Sequence, residues 1–312
     1  MENVNYIVLG GGGQKGLLYI GALKALRRFM EFDLVLKRIK GFAGCSVGSI
    51  FAVMMMMEYT EEEIDQYILP LVSIFDNVAP QMDVSLFISN YGFDDGSTFK
   101  KSISKVLEYK GFSQEITLKT FQQFFAAEIS IITTNLTNQE KVTLSAKTFP
   151  NLKVVDALFM SMCIPFIFVP VHYNDCVYVD GGMTSNIPDI YPISETMVFC
   201  FDKHDYPINS WGSYVSQLMT MPIILDAEKK ENMKKSCAYS LSLRCPPFMK
   251  DSLDRNMNEL LAFKIVKYGY IFTLLKINSS IIATTEILLR AVILVHLNFY
   301  ADLSTESAEC LL

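Results

Sequence analysis

The sequence predicts an α/β protein: a mainly parallel central sheet flanked by helices, with a helical C-terminal region. Three observations carry this expectation. Short apolar, β-like runs alternate with segments of helical periodicity through the first 205 residues. Four glycines, Gly10, Gly11, Gly12 and Gly13, fall between the first such strand and the first helix. Hydrophobic residues make up 51% of the 312 and charged residues 19%, enough for a sizeable core and too apolar for disorder.

The elements follow in order. Residues 4–9 form a short apolar strand. Residues 14–29 read as a helix, with Leu17, Leu18, Ala22, Ala25 and Leu26 along a mostly apolar stripe. Residues 41–43 lead into Gly44-Cys45-Ser46-Val47-Gly48, and residues 50–57 continue as an apolar helix whose four methionines fill core. Thr60 with Glu63 has the spacing of a capping box for a helix reaching residue 69. Residues 97–109 are helical, stopped by Gly111. Residues 128–135 and 141–144 are β-like, joined by a polar turn at residues 137–139. Residues 154–162 are helical. Residues 166–171 and 176–179 are strands flanking an Asn174-Asp175 turn, and residues 195–201 form a further strand. No internal repeat or linker interrupts the chain. Residues 4–205 are therefore expected to form the main α/β domain, and 206–312 a mostly helical extension packed on it.

Composition narrows the partners. A net charge of −6 argues against nucleic acid. Any membrane attraction is then local or apolar. The one basic stretch (Lys24, Arg27, Arg28, Lys37, Arg38 and Lys40) reads as a solvated face. Seven cysteines show no C-x-x-C pair and three histidines lie far apart, so reduced thiols, an intracellular, cytoplasmic setting and no metal site are expected. The N-terminus has no secretory signal pattern. Residues 281–299 are long enough to span a bilayer but carry Glu286, Arg290 and His296, so a buried or surface-docked helix is expected there rather than a span.

Three motifs carry the chemistry. Gly11, Gly13 and Gly16 have G-x-G-x-x-G spacing between a strand and a helix. A dinucleotide site would need an acid after the second strand, where Lys37 and Arg38 stand, so only an NADP-binding Rossmann oxidoreductase fits that reading. A phosphate loop of the Walker type fails, because Lys15 is followed by Gly16 and not by Ser or Thr. The remaining use is an oxyanion hole: backbone N–H groups at a helix start, bared so that a carbonyl can approach. Gly44-Cys45-Ser46-Val47-Gly48 is a G-x-S-x-G, in which a nucleophile on a sharp strand-to-helix turn needs small residues two positions either side. Asp180-Gly181-Gly182 places an acid at a strand end, a usual position for a catalytic carboxylate.

Taken together these motifs resemble the patatin-like phospholipases. Residues 11–16, Gly-Gly-Gly-Gln-Lys-Gly, fit the family's glycine loop, and residues 44–50 its serine elbow. Residues 156–171 resemble its Ala-x-x-x-Ser-x-x-x-Pro-x-x-Phe-x-Pro stretch, and residues 180–188 its Asp-Gly-Gly with Asn and Pro shortly after. The resemblance implies a three-layer sandwich and a Ser–Asp dyad without histidine. Ser46 would be the nucleophile, Asp180 its base, Gly12 and Gly13 the oxyanion donors, and Lys15 a structural tie. The implied reaction is hydrolysis of phospholipid acyl esters at a transiently contacted lipid surface, with no cofactor. A further alternative is an α/β-hydrolase triad, Ser46-Asp180-His204, which follows that fold's chain order. His204 lies in a polar loop, however, and one strand before the elbow is too few for that fold.

Overall fold

The run Tyr6–Leu9 forms β1, buried over most of its length as a central strand must be. In the computed structural model, which describes residues 1–66, 83–202, 207–211, 213–215, 217, 218, 221, 227–249 and 257–281, this strand lies inside an eight-stranded sheet. A single 3₁₀ turn, Gly13–Lys15, leads from the glycines into α1 (Gly16–Met30), followed by the short α2 (Phe32–Leu36). β2 (Gly41–Cys45) is wholly buried and runs straight into α3 (Val47–Met56), whose methionines are indeed core. Thr60 and Glu63 exchange side-chain bonds to each other's backbone N–H at 2.7 and 3.3 Å, capping a helix over 61–66.

The chain continues through α4 (Val84–Asn90), β3 (Gly92–Asp94), α5 (Ser97–Tyr109) and α6 (Leu118–Gln122) to the long β4 (Glu128–Asn135). β5 (Glu140–Leu144), α7 (Val154–Met162), β6 (Phe166–Phe168), β7 (Val171–Tyr173), β8 (Cys176–Asp180) and β9 (Thr196–Phe201) follow. Strands β10 (Tyr239–Leu243), β9, β1, β2 and β4 are neighbours in that order, and each pair is parallel. β5 and β8 both pair antiparallel with β4, and β7 pairs antiparallel with β8.

The register on β4 positions the site. β2 pairs with β4 up to Cys45 opposite Ile132. β8, running the other way, pairs with it from Asn135 down to Asp180 opposite Thr133. The far edge of β4 is held by β5, which pairs with Ile131 through Asn135 and so overlaps the end of the first stretch and all of the second. β2 and β8 therefore lie on one edge of β4, and their C-terminal ends meet head-on at adjacent rungs.

The structure departs from the sequence expectation in two places. Residues 166–171 do not form one strand. Pro170, without an N–H, falls between β6, which pairs with β3 in a separate two-stranded sheet, and β7, which joins β8. In the region after 205, expected to be mostly helical, α8 (Ala227–Ser236) leads to an additional strand, β10 (Tyr239–Leu243), which extends the main sheet beside β9. Residue 204 and residues 282–299 lie outside the described residues. Among the described residues, no helix is long and apolar enough to cross a membrane.

α9 (Glu259–Ile281) packs along α1 through glycines. A Cβ on Gly21 would overlap the Val266 carbonyl and the Tyr270 N, and one on Gly269 would lie 2.5 Å from the Leu18 carbonyl oxygen. Backbone meets backbone here, so neither partner can yield as a flexible side chain would. Gly21→Ala gains the helix propensity of alanine, about 1 kcal/mol. It must also force two helices apart, and we expect a net loss of about 2 kcal/mol from overpacking. Denaturant unfolding measures this, and an unchanged midpoint would contradict the tight crossing.

Candidate active site

Ser46 stands where β2 ends and α3 begins, with φ 51° and ψ −131°, a positive φ on a residue with a Cβ. Such a conformation costs about 1–3 kcal/mol and persists only where its surroundings impose it. The surroundings are visible. A Cβ on Gly44 would overlap the Ser49 backbone, and one on Gly48 would overlap the Leu9 carbonyl and come within 2.7 Å of the Gly10 oxygen. The two glycines thus let α3 start directly against β1 and β2. The Ser46 carbonyl accepts the Ser49 N–H at 2.9 Å and the Ser49 hydroxyl at 2.6 Å. The Ser46 N–H donates to Ser161 Oγ at 2.8 Å, and the Ser161 hydroxyl donates to the Ile132 carbonyl at 2.6 Å. That one hydroxyl from α7 bridges the place where β2 leaves β4.

Ser161→Ala strips the partner from a buried N–H. The expected loss is about 1–3 kcal/mol of stability, with a fall in turnover as Ser46 drifts, whereas Ser161→Thr keeps the hydroxyl and most of both. Urea unfolding and ester hydrolysis on the same preparations check this pair.

Asp180 is the last residue of β8 and is 3% exposed. Its Oδ1 accepts the Gly182 N–H at 2.7 Å, and its Oδ2 accepts the Ser46 hydroxyl at 2.7 Å. Burial pushes the carboxyl up to about 6, against the opposing pull of the bonds from Ser46 and Gly182. A carboxylate with that affinity for a proton is a better base than an exposed one and is still ionised at neutral pH. The neighbouring Cys45 is no rival nucleophile, because burial first and the Asp180 charge second hold its thiol well above the usual range.

The glycine loop lies against Ser46. A Cβ on Gly11 would stand 2.9 Å from the Ser46 Cβ, and one on Gly12 would enter the Phe201 ring at 2.5 Å. Its backbone groups can be accounted for almost completely. Gly10 N–H donates to Phe199 O, and Gly10 O accepts the Tyr19 hydroxyl, both at 2.9 Å. Gly11 N–H donates to Asn186 O at 3.2 Å, and Gly11 O accepts Asn186 Nδ2 at 3.1 Å. Gly12 O accepts the Lys15 N–H at 3.1 Å. Among the described residues, no carbonyl of the main chain takes the Gly12 or Gly13 N–H. Gly13 itself has φ 55°, a conformation that favours glycine.

A family model described as patatin-like phospholipase matches residues 7–189, more than half of the chain. The chain belongs to this family. It is 28% identical over 186 residues to the probable lipid hydrolase 463L of Invertebrate iridescent virus 6; the match covers 58% of this chain and 61% of that one. It is 27% identical over 234 residues to the uncharacterized protein R571 of Acanthamoeba polyphaga mimivirus, covering 70% and 75%. The match thus spans about three fifths of the iridescent virus protein's length. In fold it is similar to VipD from Legionella pneumophila, with a TM-score of 0.54 at 14% identity over 89% of this chain and 67% of that one.

In this patatin-like chain several residues singled out from sequence meet directly. Ser46 bonds Asp180, Gly182 bonds the same carboxylate, Gly11 packs against the Ser46 Cβ, Gly44 and Gly48 seat the start of α3, and Lys15, 7% exposed, closes the 3₁₀ turn behind the loop. A Cβ on Gly16 would meet Val47 Cγ2 at 2.5 Å, and one on Gly181 would meet Cys45 Sγ at 3.0 Å. The dinucleotide reading does not survive: β2 ends at Cys45, and the next residue is Ser46 rather than an acid, while Lys37 and Arg38 lie before that strand. His172 is exposed on β7, and the serine hydroxyl donates directly to the carboxylate. Ser161 and Asn186 carry contacts to which no role was assigned from sequence. Each lay inside a recognised stretch, but its partner is 115 or 175 residues away.

Proposed function

We propose that the chain is a lipid acyl hydrolase that cleaves carboxylic esters of phospholipids through an acyl-serine, using Ser46 and Asp180 as a dyad. The observation that carries the reading is the 2.7 Å bond from the Ser46 hydroxyl to Asp180 Oδ2, together with a glycine loop against Ser46 that has two backbone N–H groups taken by no main-chain carbonyl among the described residues. Family membership supports the lipid substrate.

The steps follow from the geometry. Ser46 Oγ attacks the ester carbonyl while its proton passes to Asp180 Oδ2. The negative charge growing on the carbonyl oxygen is met by the Gly12 and Gly13 N–H groups. Collapse breaks the ester bond, and Asp180 returns the proton to the departing alcohol. Water then attacks the acyl-serine, giving its proton to Asp180, which restores it to Ser46 as the fatty acid leaves. With a net charge of −6, contact with the lipid surface is transient and led by apolar groups rather than by global attraction.

The test is a panel of phospholipids, lysophospholipids and neutral glycerides, with and without chelator, against the wild type and Ser46→Ala. Release of fatty acid from phospholipid by the wild type alone supports the reading. Turnover of neutral glycerides alone would replace the substrate class, and equal turnover by the variant would remove the dyad.

A further inference from the structure

We propose that the side-chain amide of Asn186 is the positioning group of the oxyanion hole, fixing the peptide plane from which the Gly12 N–H projects. This rests on the acyl-hydrolase reading above and deepens it. Ser46's own N–H is committed to Ser161, so it offers nothing to a developing oxyanion. The donors assigned to the oxyanion above are those of the glycine loop. A loop without side chains has no rotamers or packing of its own to hold its amides in one direction.

In a trans peptide the C=O and the following N–H point in opposite directions. Whatever holds the Gly11 oxygen therefore aims the Gly12 N–H the other way. Asn186 Nδ2 holds that oxygen at 3.1 Å. The next plane is set in the same manner, since the Lys15 N–H holds the Gly12 oxygen and so aims the Gly13 N–H. The second tie is backbone and belongs to the helix start; the first is a side chain from 175 residues further along the chain. A Cβ on Gly11 would stand 2.7 Å from Asn186 Oδ1, so that glycine is what lets the amide reach its place.

Asn186 lies six residues beyond Asp180, on the segment whose Gly182 N–H bonds that carboxylate. One short segment thus sets the base and aims the oxyanion donor. Its docking does not depend on the amide, because the Gly11 N–H to Asn186 O bond is main-chain and Ile187 and Pro188 beside it are buried.

The experiment compares Asn186→Ala and Asn186→Leu with the wild type on p-nitrophenyl butyrate, a monomeric ester. The second variant keeps the volume and removes the amide. We expect kcat to fall by about 30- to 100-fold with KM within about twofold, because the loss belongs to the transition state. The inhibition constant of an alkyl trifluoromethyl ketone, whose adduct carries the oxyanion, should weaken by the same factor as kcat/KM, with the thermal midpoint nearly unchanged. Wild-type kcat in either variant overturns the proposal. So does a loss confined to KM, or a fall in kcat with undiminished ketone affinity. Failure of both variants to fold would make Asn186 a structural tie and overturn it equally. Ser46→Ala is run alongside: activity retained there withdraws the hydrolase reading itself, whereas an inactive Ser46→Ala beside a fully active Asn186→Ala removes only the role of the amide.

Discussion

Ser46→Ala is expected to lower ester hydrolysis by about 10³-fold or more and to abolish labelling by a fluorophosphonate probe. The change removes one oxygen and leaves the elbow intact, because the bonds that hold the strained turn use the Ser46 N–H and carbonyl. No neighbouring group takes over: Cys45 is buried and its thiol is held in the protonated form. The proposed oxyanion donors remain in the variant and would account for any residual rate over the uncatalysed reaction. Labelling that persists in Ser46→Ala would place the nucleophile elsewhere.

Asp180→Asn is expected to be nearly as damaging to turnover, and to stabilise the fold. Amide and carboxylate have the same shape, so Gly182 keeps its acceptor and Ser46 its neighbour. The amide does not accept the serine proton, and the nucleophile stays a hydroxyl. In the wild type, kcat/KM for a monomeric ester should rise with pH through an acid limb near 6, where Asp180 ionises.

The stability effect has the opposite sign. Burial raises the native carboxyl above its unfolded value, so the native state holds its proton more tightly. The stability belonging to the protonated form is fully present below the unfolded value of 3.8 and is lost as pH rises through about 6. A shift of this size corresponds to roughly 3 kcal/mol of native-state cost at pH 8. Asp180→Asn escapes that cost, so its unfolding midpoint should exceed that of the wild type at pH 8 and match it at about pH 3, below the unfolded value. Full activity in this variant would remove Asp180 as the base. A lower midpoint at pH 8 would show that the buried charge is compensated by something else.

Much of this architecture is legible in the sequence because its signals are local. The apolar run before the glycines, the stripe of Leu17, Leu18, Ala22 and Ala25, and the Thr60–Glu63 cap each announce an element within a few residues. Other elements lack such signals. β3 has three residues and exists through its pairing with β6. β10 alternates Tyr239, Leu241 and Leu243 with serines, yet it follows a lysine-rich helix with no turn signal to set it apart. Phe166–Phe168 and Val171–Tyr173 look like one run because both are apolar, and only their partners tell them apart. The site divides in the same manner. Ser46 and Asp180 sit in compact motifs that steric need makes recognisable. Ser161 and Asn186 act through hydrogen bonds to distant backbone, and nothing adjacent in the chain marks those partners.

The head-on meeting of β2 and β8 along β4 also bears on when the chemistry can begin. The two groups that share a proton are 134 residues apart in the chain, and closing so long a loop carries an entropic cost that only the assembled sheet repays. Contacts of such long range are among the slower ones to form. A nascent chain that has not yet reached residue 180 holds the serine without its base. On the proposed chemistry, a growing or misassembled chain is inert toward the membranes around it, and hydrolytic power arrives with completion of the fold.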